Sequence, residues 1–451
     1  PSKQWVAGSN PAGSVIFFLR LFKLINLKEI KWTEFKNNLA LYFYYIGLFL
    51  LPSAFIISSF LLLIAVITEN YSKFNQFLKD KWNYPFIISG LIILFTSFIH
   101  ANNYAYHKLI NPDQINIWVG IFNWVPFFFL FWGFQPFLKT KLSREISSKL
   151  IISGTIPVII SGFIQYFFQI YGPFKTFFGL LVWYQKPIYG VSGVSGLFSN
   201  ENYTGCWLNI IIPFCIASFF ATKNSNFKKG IISSIFIGSI SLILLTNSRS
   251  AILSLIITFG LFAISSGEIW LLFLILISLI IIFLAFILMI NNQNIISNYE
   301  IVPEKFLQEF DKNSFSDREL RSEIWLTSLN LIFKNPLIGI GPSVFPYVYT
   351  SIKDAFAGHP HNLFLELSLS YGLIVSIIIF ITIILLMYKS YLKLKFEKAN
   401  RINSIFDIAW FISFVILLTS QMVDIQYFDG RISILFWLLL AGLKVIGTKE
   451  I

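Results

Sequence analysis

Long apolar segments with few or no charges constrain the fold of this chain more than any other feature. They lie at about residues 39–52, 53–68, 84–99, 115–138, 149–171, 203–222, 229–246, 250–266, 269–290, 362–388, 405–423 and 431–447. Segments of this kind cross the roughly 30 Å hydrocarbon core of a bilayer as helices. They lack the alternation of apolar and polar residues that marks the strands of a membrane barrel. The sequence therefore predicts an all-α, polytopic transmembrane helical bundle of about 12 spans, with roughly 11–13 possible.

Residues 37–68 contain no charged residue and form either one long span or a hairpin. A single helix there would be about 48 Å long, which is too long to stand upright in a bilayer. Pro52 and Ser53 in the middle favour a turn. The positive charges favour it too, because the six Lys and Arg in residues 1–38 and the three in residues 69–83 share one side only if the chain crosses twice. Both termini are then predicted to be cytoplasmic.

The remaining positive charges agree with this topology. In total, 23 Lys and Arg fall on the predicted inner side and 11 on the outer side, six of them in residues 291–360. The net charge of +12 is therefore interpreted as an orientation signal rather than a nucleic-acid-binding surface. The outer face receives residues 172–202, the turn at 247–249, residues 291–360 and residues 424–430.

The whole chain, residues 1–451, is interpreted as a single integral membrane domain. Residues 1–38 are basic and form a predicted cytoplasmic, interfacial segment without the pattern of a cleavable signal peptide. Residues 291–360 form the one large outer loop. A mean hydropathy of +0.72, with only 12% charged residues, excludes an ordinary soluble domain. Cys206 and Cys215 are predicted to face opposite sides of one helix, so neither a disulfide nor a metal site is expected.

Arg249 is the first candidate for chemistry. It lies in a tight, polar turn between two apolar segments. An arginine between two membrane segments is unfavourable in free energy unless it faces a polar cavity or partner. Its planar guanidinium matches the geometry of phosphate oxygens. The alternative is that Arg249 reaches out to the lipid headgroups. The polar neighbours favour a functional role.

Residues 317–334 predict an amphipathic helix within the large outer loop, because apolar residues recur at helical spacing. Arg321 and Trp325 share one face of it, one turn apart. Either Arg318 or Arg321 could point towards a site, since the helical offset allows both. For Arg321, an ion pair with Glu319 or Glu323 is the competing interpretation.

His359 and His361 flank a proline where the polar loop ends and a long apolar helix begins. Imidazole is the side chain best suited to moving protons near neutral pH. His361 followed by Asn362 is the stronger candidate, because it stands at the helix start beside polar neighbours that can fix its tautomer. The other histidines, His100 and His107, are expected at the surface.

Residues 190–202 form a glycine-rich segment that ends at Asn202. Its glycines either present backbone N–H groups to an anion or provide flexibility.

In this order, these segments resemble the O-antigen ligase and O-antigen polymerase superfamily of polytopic, lipid-linked glycan transferases. The residues that carry the resemblance are GLFSNEN at 196–202, TNSR at 246–249, RSEIW at 321–325, NPLIGIGP at 335–342, HPHNLFLEL at 359–367 and YGL at 371–373. Each motif is weak alone, and the ordered set is more specific. Related cyanobacterial proteins once associated with inorganic-carbon accumulation often lack the His-Asn pair, which this chain has.

The resemblance implies a GT-C-like, metal-independent glycosyltransferase of a bacterial inner (plasma) membrane, without a cofactor. Its donor would be a glycan on undecaprenyl diphosphate, and its acceptor a glycan, lipid or protein hydroxyl on the periplasmic face. Arg249 and Arg321 would hold the diphosphate, and His361 would take the proton of the attacking hydroxyl. The resemblance assigns Asn202 a structural or substrate-contacting role. Arg318, Trp325, His359 and Asn362 complete the predicted substrate-binding set.

Two other classes of function are also consistent with the sequence. A transporter for bicarbonate or another small anion would use Arg249 as an anion ligand, but the paired broken segments of inverted repeats are not evident. A non-catalytic membrane scaffold would tolerate replacement of Arg249, Arg321 and His361.

Overall fold

The computed structural model of the protein describes residues 39–102, 114–189, 192–223, 225–266, 321–396 and 404–448. In chain order its helices are α1 (Leu39–Leu50), α2 (Phe55–Asn70), α3 (Phe74–Lys79), α4 (Tyr84–Asn102), α5 (Gln114–Phe122), α6 (Val125–Gly133), α7 (Lys141–Phe168), α8 (Glu201–Ala221), α9 (Asn226–Leu245), α10 (Arg249–Ser266), α11 (Arg321–Lys334), α12 (Phe345–Lys353), α13 (Leu363–Tyr371), α14 (Leu373–Phe396), α15 (Ile405–Gln421) and α16 (Gly430–Thr448). Two short antiparallel strands, β1 (Phe174–Thr176) and β2 (Leu181–Trp183), pair Phe174 with Trp183.

Apolar helices of membrane-spanning character dominate the architecture. Within the described ranges, seven helical stretches are long and apolar enough to cross a membrane, and four apolar helices are shorter. Each predicted apolar segment coincides with helix except residues 269–290, which lie outside the described residues, as do residues 1–38 and 291–320. Helices satisfy their backbone hydrogen bonds internally, which hydrocarbon requires. The prediction of an all-α, polytopic membrane protein is confirmed.

The uncharged residues 37–68 fold as a hairpin in their described part. Helix α1 ends at Leu50, and α2 begins at Phe55 after a turn that contains Pro52. The Ala54 N–H donates to the Leu50 carbonyl over 2.8 Å within this turn. Helices α1 and α2 pack so closely that a Cβ on Gly47 would lie 2.7 Å from Leu62 Cγ. The hairpin alternative predicted from the charge distribution is therefore the observed one.

The predicted helix at residues 362–388 is interrupted at Gly372, so the expectation of one continuous helix was wrong. Gly372 has a φ of 94°, which separates α13 from α14. The break frees backbone groups that another segment satisfies: the Leu373 N–H donates to the Pro336 carbonyl over 2.8 Å, and the Ile340 N–H donates to the Leu369 carbonyl over 2.6 Å. Interrupted helices are tolerated in membranes where such partners exist. The turn after α11 is thereby fixed against the start of α14.

Two side chains near helix ends have buried partners from distant segments, and one of them corrects a sequence expectation. Arg144 is fully buried in the first turn of α7, where its guanidinium pairs with Asp407 of α15 through two 2.6 Å hydrogen bonds. His100, expected at the surface, is buried at the end of α4, and its Nε2 lies 2.9 Å from the Ile338 carbonyl. Both are satisfied by partners more than 200 residues away in the sequence, which local patterns do not show.

Candidate functional site

Asp424 is the centre of a polar cluster at one end of the bundle. It lies in the loop between α15 and α16 and is only 5% exposed. One carboxylate oxygen lies 2.8 Å from Nδ1 of His361, and the other accepts a 2.9 Å hydrogen bond from Nδ2 of Asn202, at the start of α8. Burial by itself raises the pKa of Asp424, but the His361 hydrogen bond and the charges of His361, His359 and Arg321 outweigh it and hold this pKa below its usual range. The carboxylate is therefore ionised near neutral pH.

The ionised carboxylate determines the tautomer of His361. An ionised carboxylate can only accept hydrogen bonds, so Nδ1 of His361 must carry the proton that it donates to Asp424. In the neutral imidazole, Nε2 is then the hydrogen-bond acceptor. The His361 side chain keeps 29% exposure. This geometry is that of a general base: a partly accessible nitrogen lone pair on a ring whose other nitrogen is held by a buried carboxylate.

The backbone around His361 is held in an uncommon conformation. His361 has a φ of 52°, in the left-handed region that few residues other than glycine adopt. On one side, Nε1 of Trp325 donates to the Pro360 carbonyl over 3.0 Å. On the other side, Asn362 caps α13, since its Oδ1 accepts from the Leu365 N–H, and its Nδ2 donates to the Met422 carbonyl over 3.0 Å. Trp325 and Asn362 thus position His361 from two different elements of the fold.

His359 packs against His361 with ring centroids 4.2 Å apart and ring planes at 62°. Its Nδ1 accepts a hydrogen bond from the backbone N–H of His361 over 3.2 Å. Burial, together with the nearby charges of His361 and Arg321 and against that of Asp424, lowers the pKa of His359 to about 4. His359 is therefore neutral near pH 7.

Arg321 is the exposed first residue of α11. Its positive charge acts on both His359 and Asp424. Glu323, one of the two expected partners of Arg321, lies 3.6 Å from Nζ of Lys353. The other expected partner, Glu319, lies outside the described residues, as does Arg318. Arg321 thus contributes positive charge beside the histidines and Asp424.

Arg249 belongs to the same end of the bundle through its contacts with α8. It is the exposed first residue of α10 and follows a turn in which Asn247 has a φ of 51°. The start of α10 packs on α8: Nδ2 of Asn209 donates to the Ala251 carbonyl over 2.9 Å, and a Cβ on Gly205 would lie 2.5 Å from that of Ala251. Because α8 also carries Asn202, it links the Arg249 turn to Asp424.

Asp424 is the main site residue that sequence reasoning missed. A signal was present, since Asp424 and Asp429 stand in a short polar loop between two strongly apolar segments. The neighbouring Asp429 forms a buried pair with Arg431, whose guanidinium also donates to the Leu197 carbonyl over 3.1 Å. This pair ties the loop of Asp424 to the segment that precedes Asn202. The motif residues before α8 are therefore packed against the start of α16.

A metal ion is the other chemistry that this cluster suggests. His359, His361 and Asp424 each offer a ligand atom, and these atoms lie within 4.8 Å of one another. Imidazole and carboxylate are common ligands of transition metals. In the structure, however, the Asp424 carboxylate and the Nδ1 atoms of both histidines already take part in hydrogen bonds with protein groups. A metal would therefore have to use the two Nε2 atoms or replace these hydrogen bonds.

The fold is that of a multi-pass membrane protein, and its site places a carboxylate-held histidine beside the positive charge of Arg321 at one end of the helical bundle. Residues 234–381, about a third of the chain, match the family model described as O-antigen ligase. This match supports the O-antigen ligase superfamily and thereby confirms the resemblance seen in the motifs; it indicates an O-antigen ligase/polymerase-type membrane enzyme. The matched segment contains Arg249, Arg321 and His361 but neither Asn202 nor Asp424. No curated protein matches the chain significantly.

Proposed function

We propose that the protein is an inner-membrane glycosyltransferase that moves a glycan from undecaprenyl diphosphate to an acceptor hydroxyl on the periplasmic face. The observation that carries the proposal is the His361–Asp424 hydrogen bond beside the positive charge of Arg321. It supplies a base and a cation at one place, which is what a transfer with a diphosphate leaving group needs. The family match supports a lipid-linked donor.

In the proposed reaction, the acceptor hydroxyl attacks the anomeric carbon of the donor. A new carbon–oxygen bond forms, and the bond from the anomeric carbon to the diphosphate oxygen breaks with its electron pair going to the diphosphate. The hydroxyl proton passes to Nε2 of His361. Asp424 stabilises the imidazolium that results, because its ionised carboxylate already accepts from Nδ1.

Arg249 and Arg321 are proposed to bind the diphosphate and to stabilise the negative charge that grows on it. Three helix starts support this role. Helix α10 begins at Arg249, α8 begins after the capping residue Asn200, and α13 begins after the capping residue Asn362. The N-terminus of a helix carries partial positive charge and free N–H groups, which favour anions. Asn202 is proposed to act mainly by orienting Asp424.

The test of this function is complementation of a strain that lacks its own O-antigen ligase or polymerase, with surface glycan examined by gel. A mismatch in the acceptor could hide the activity, so the purified full-length protein is assayed in parallel for release of undecaprenyl diphosphate from a lipid-linked glycan. We expect release to depend on the acceptor. A well-folded protein that neither restores glycan nor releases undecaprenyl diphosphate would contradict the proposal.

Asp424→Asn is expected to lower the transfer rate roughly 10²–10⁴-fold, the full value of a positioned base. The asparagine amide can present an N–H towards Nδ1, which favours the His361 tautomer whose Nε2 carries the proton and cannot accept another. The assay is undecaprenyl diphosphate release by the purified variant. Asp354→Asn is the matched control, since Asp354 is an exposed acid at the end of α12. Equal rates for Asp424→Asn and the control would remove Asp424 from the mechanism.

Chelation tests the prediction that no metal takes part. We expect the wild-type transfer rate to be unchanged after dialysis against EDTA, because the proposed chemistry uses only side chains. The measurement is undecaprenyl diphosphate release before and after dialysis, with Zn²⁺ or Mn²⁺ added back. Loss of activity that an added ion restores would instead favour a metal held by His359, His361 and Asp424.

A further inference from the structure

The two histidines beside Pro360 present opposite hydrogen-bonding groups. His361 donates from Nδ1 to Asp424, so its Nε2 is an acceptor. His359 accepts at Nδ1 from the His361 backbone N–H, so in the neutral ring the proton resides on Nε2, which is a donor. The pair therefore combines one acceptor and one donor, and each tautomer is fixed by a separate hydrogen bond.

Both Nε2 atoms are available for a ligand. In the part of the chain that the structure describes, neither atom has a hydrogen-bond partner, and neither is among the buried polar atoms that lack one. Both side chains are half-buried at the edge of the cluster. Their ring centroids lie only 4.2 Å apart, which limits how far the two Nε2 atoms can be from each other. Two hydrogen bonds of ordinary length, about 2.7–3.2 Å, can thus reach a single small group of atoms.

We propose that His359 is a second acceptor-binding residue, which donates a hydrogen bond from Nε2 to the oxygen next to the attacking hydroxyl. The chemical class that matches this donor–acceptor pair is a sugar with neighbouring oxygens: one hydroxyl gives its proton to His361, and the adjacent oxygen accepts from His359. A lone hydroxyl, such as that of a serine side chain, satisfies only His361. The inference rests on the proposed function and narrows its acceptor to a glycan or glycolipid.

The neutral state of His359 favours this role over binding of the diphosphate. An uncharged N–H donor suits an uncharged sugar oxygen, whereas a dianionic leaving group is better served by guanidinium groups. Burial is the largest effect and lowers the pKa of His359; the positive charge of Arg321 acts in the same direction, and the negative charge of Asp424 acts against it. Arg321 already provides positive charge next to the pair.

The experiment measures the kinetic constants for the acceptor and for the donor separately. Full-length protein in nanodiscs is given undecaprenyl diphosphate-linked glycan and the glycolipid acceptor extracted from a ligase-deficient strain. KM and kcat are measured for each substrate, together with the slow hydrolysis of the donor by water. The variants are His359→Ala and His359→Gln; glutamine retains a side-chain N–H donor.

For His359→Ala we expect kcat/KM for the acceptor to fall about tenfold or more, the value of one lost hydrogen bond. KM for the donor stays as in the wild type. Donor hydrolysis falls by a smaller factor than transfer, because water also needs His361 as the base but offers no second oxygen. His359→Gln recovers part of the loss.

Two results would overturn the inference while leaving the proposed function intact. One is a rise in KM for the donor, which would move His359 to the diphosphate. The other is an equal loss in transfer and hydrolysis, or no loss at all, which would leave His359 a structural residue. Wild-type protein that turns over no donor would overturn the proposed function and the inference together.

Discussion

Replacing His361 with alanine is expected to lower the rate of glycan transfer by about 10²–10⁴-fold, the contribution of a well-placed general base. The imidazole is partly accessible and is held by the buried Asp424 carboxylate. Without it, the acceptor hydroxyl must lose its proton to water. The measurement is release of undecaprenyl diphosphate at saturating donor and acceptor, with expression level and melting temperature recorded for each variant.

The backbone conformation of His361 determines which variant is a suitable control. Because its φ is 52°, alanine introduces backbone strain as well as removing the ring. His361→Asn is the better matched variant, since asparagine tolerates the left-handed region and has no group that titrates near pH 7. Equal losses in both variants would assign the effect to the imidazole. Wild-type activity in His361→Asn would contradict the assignment of His361 as the base.

Replacing Asp407 with alanine is expected to destabilise the protein by about 3–5 kcal/mol, because it leaves a buried guanidinium without its counter-charge. Arg144 is fully buried, and its two 2.6 Å hydrogen bonds to Asp407 join α7 to α15. The arginine also donates to the Leu138 carbonyl over 2.8 Å, a contact that does not neutralise its charge. The measurement is the yield of detergent-soluble protein and its melting temperature.

An exposed ion pair on the same helix is the control. It tests whether the loss of stability comes from burial of the charge or from the loss of any ion pair. Glu145, the next residue along α7, pairs with Lys149 on the partly exposed side of the helix. Glu145→Ala is therefore expected to change stability by about 0–1 kcal/mol, the range of surface pairs. The double change Arg144→Met with Asp407→Leu removes both charges and should recover much of the loss. A melting temperature of Asp407→Ala equal to that of the wild type would show that the pair does not hold α7 to α15.

The helical architecture could be predicted from sequence because membrane spans obey a local rule. Apolar length and the placement of Lys and Arg are properties of short segments, so they predicted the helices and the hairpin around Pro52. The histidine motif and the two arginines were also visible as polar residues in apolar surroundings. Their assigned roles remain predictions.

What the sequence did not indicate depends on packing between distant segments. Asp424 is 63 residues from His361 along the chain, so only the fold brings the carboxylate to the imidazole. The same holds for His100, whose partner Ile338 is 238 residues away. The break at Gly372 went unpredicted because the segment that satisfies its free backbone groups, residues 336–340, lies before α13. Local hydropathy carries no information about such partners.

The late position of Asp424 in the chain has a consequence for biosynthesis. Arg249, Arg321 and His361 are all translated before α15, and the segment that matches the O-antigen ligase family is complete by residue 381. On the proposed mechanism, the base gains its carboxylate only when the loop between α15 and α16 is in place. On this mechanism a nascent chain is inert towards lipid-linked glycan until the hairpin of α15 and α16 has folded, and a chain that stops short of residue 404 would carry the family motifs without a competent base.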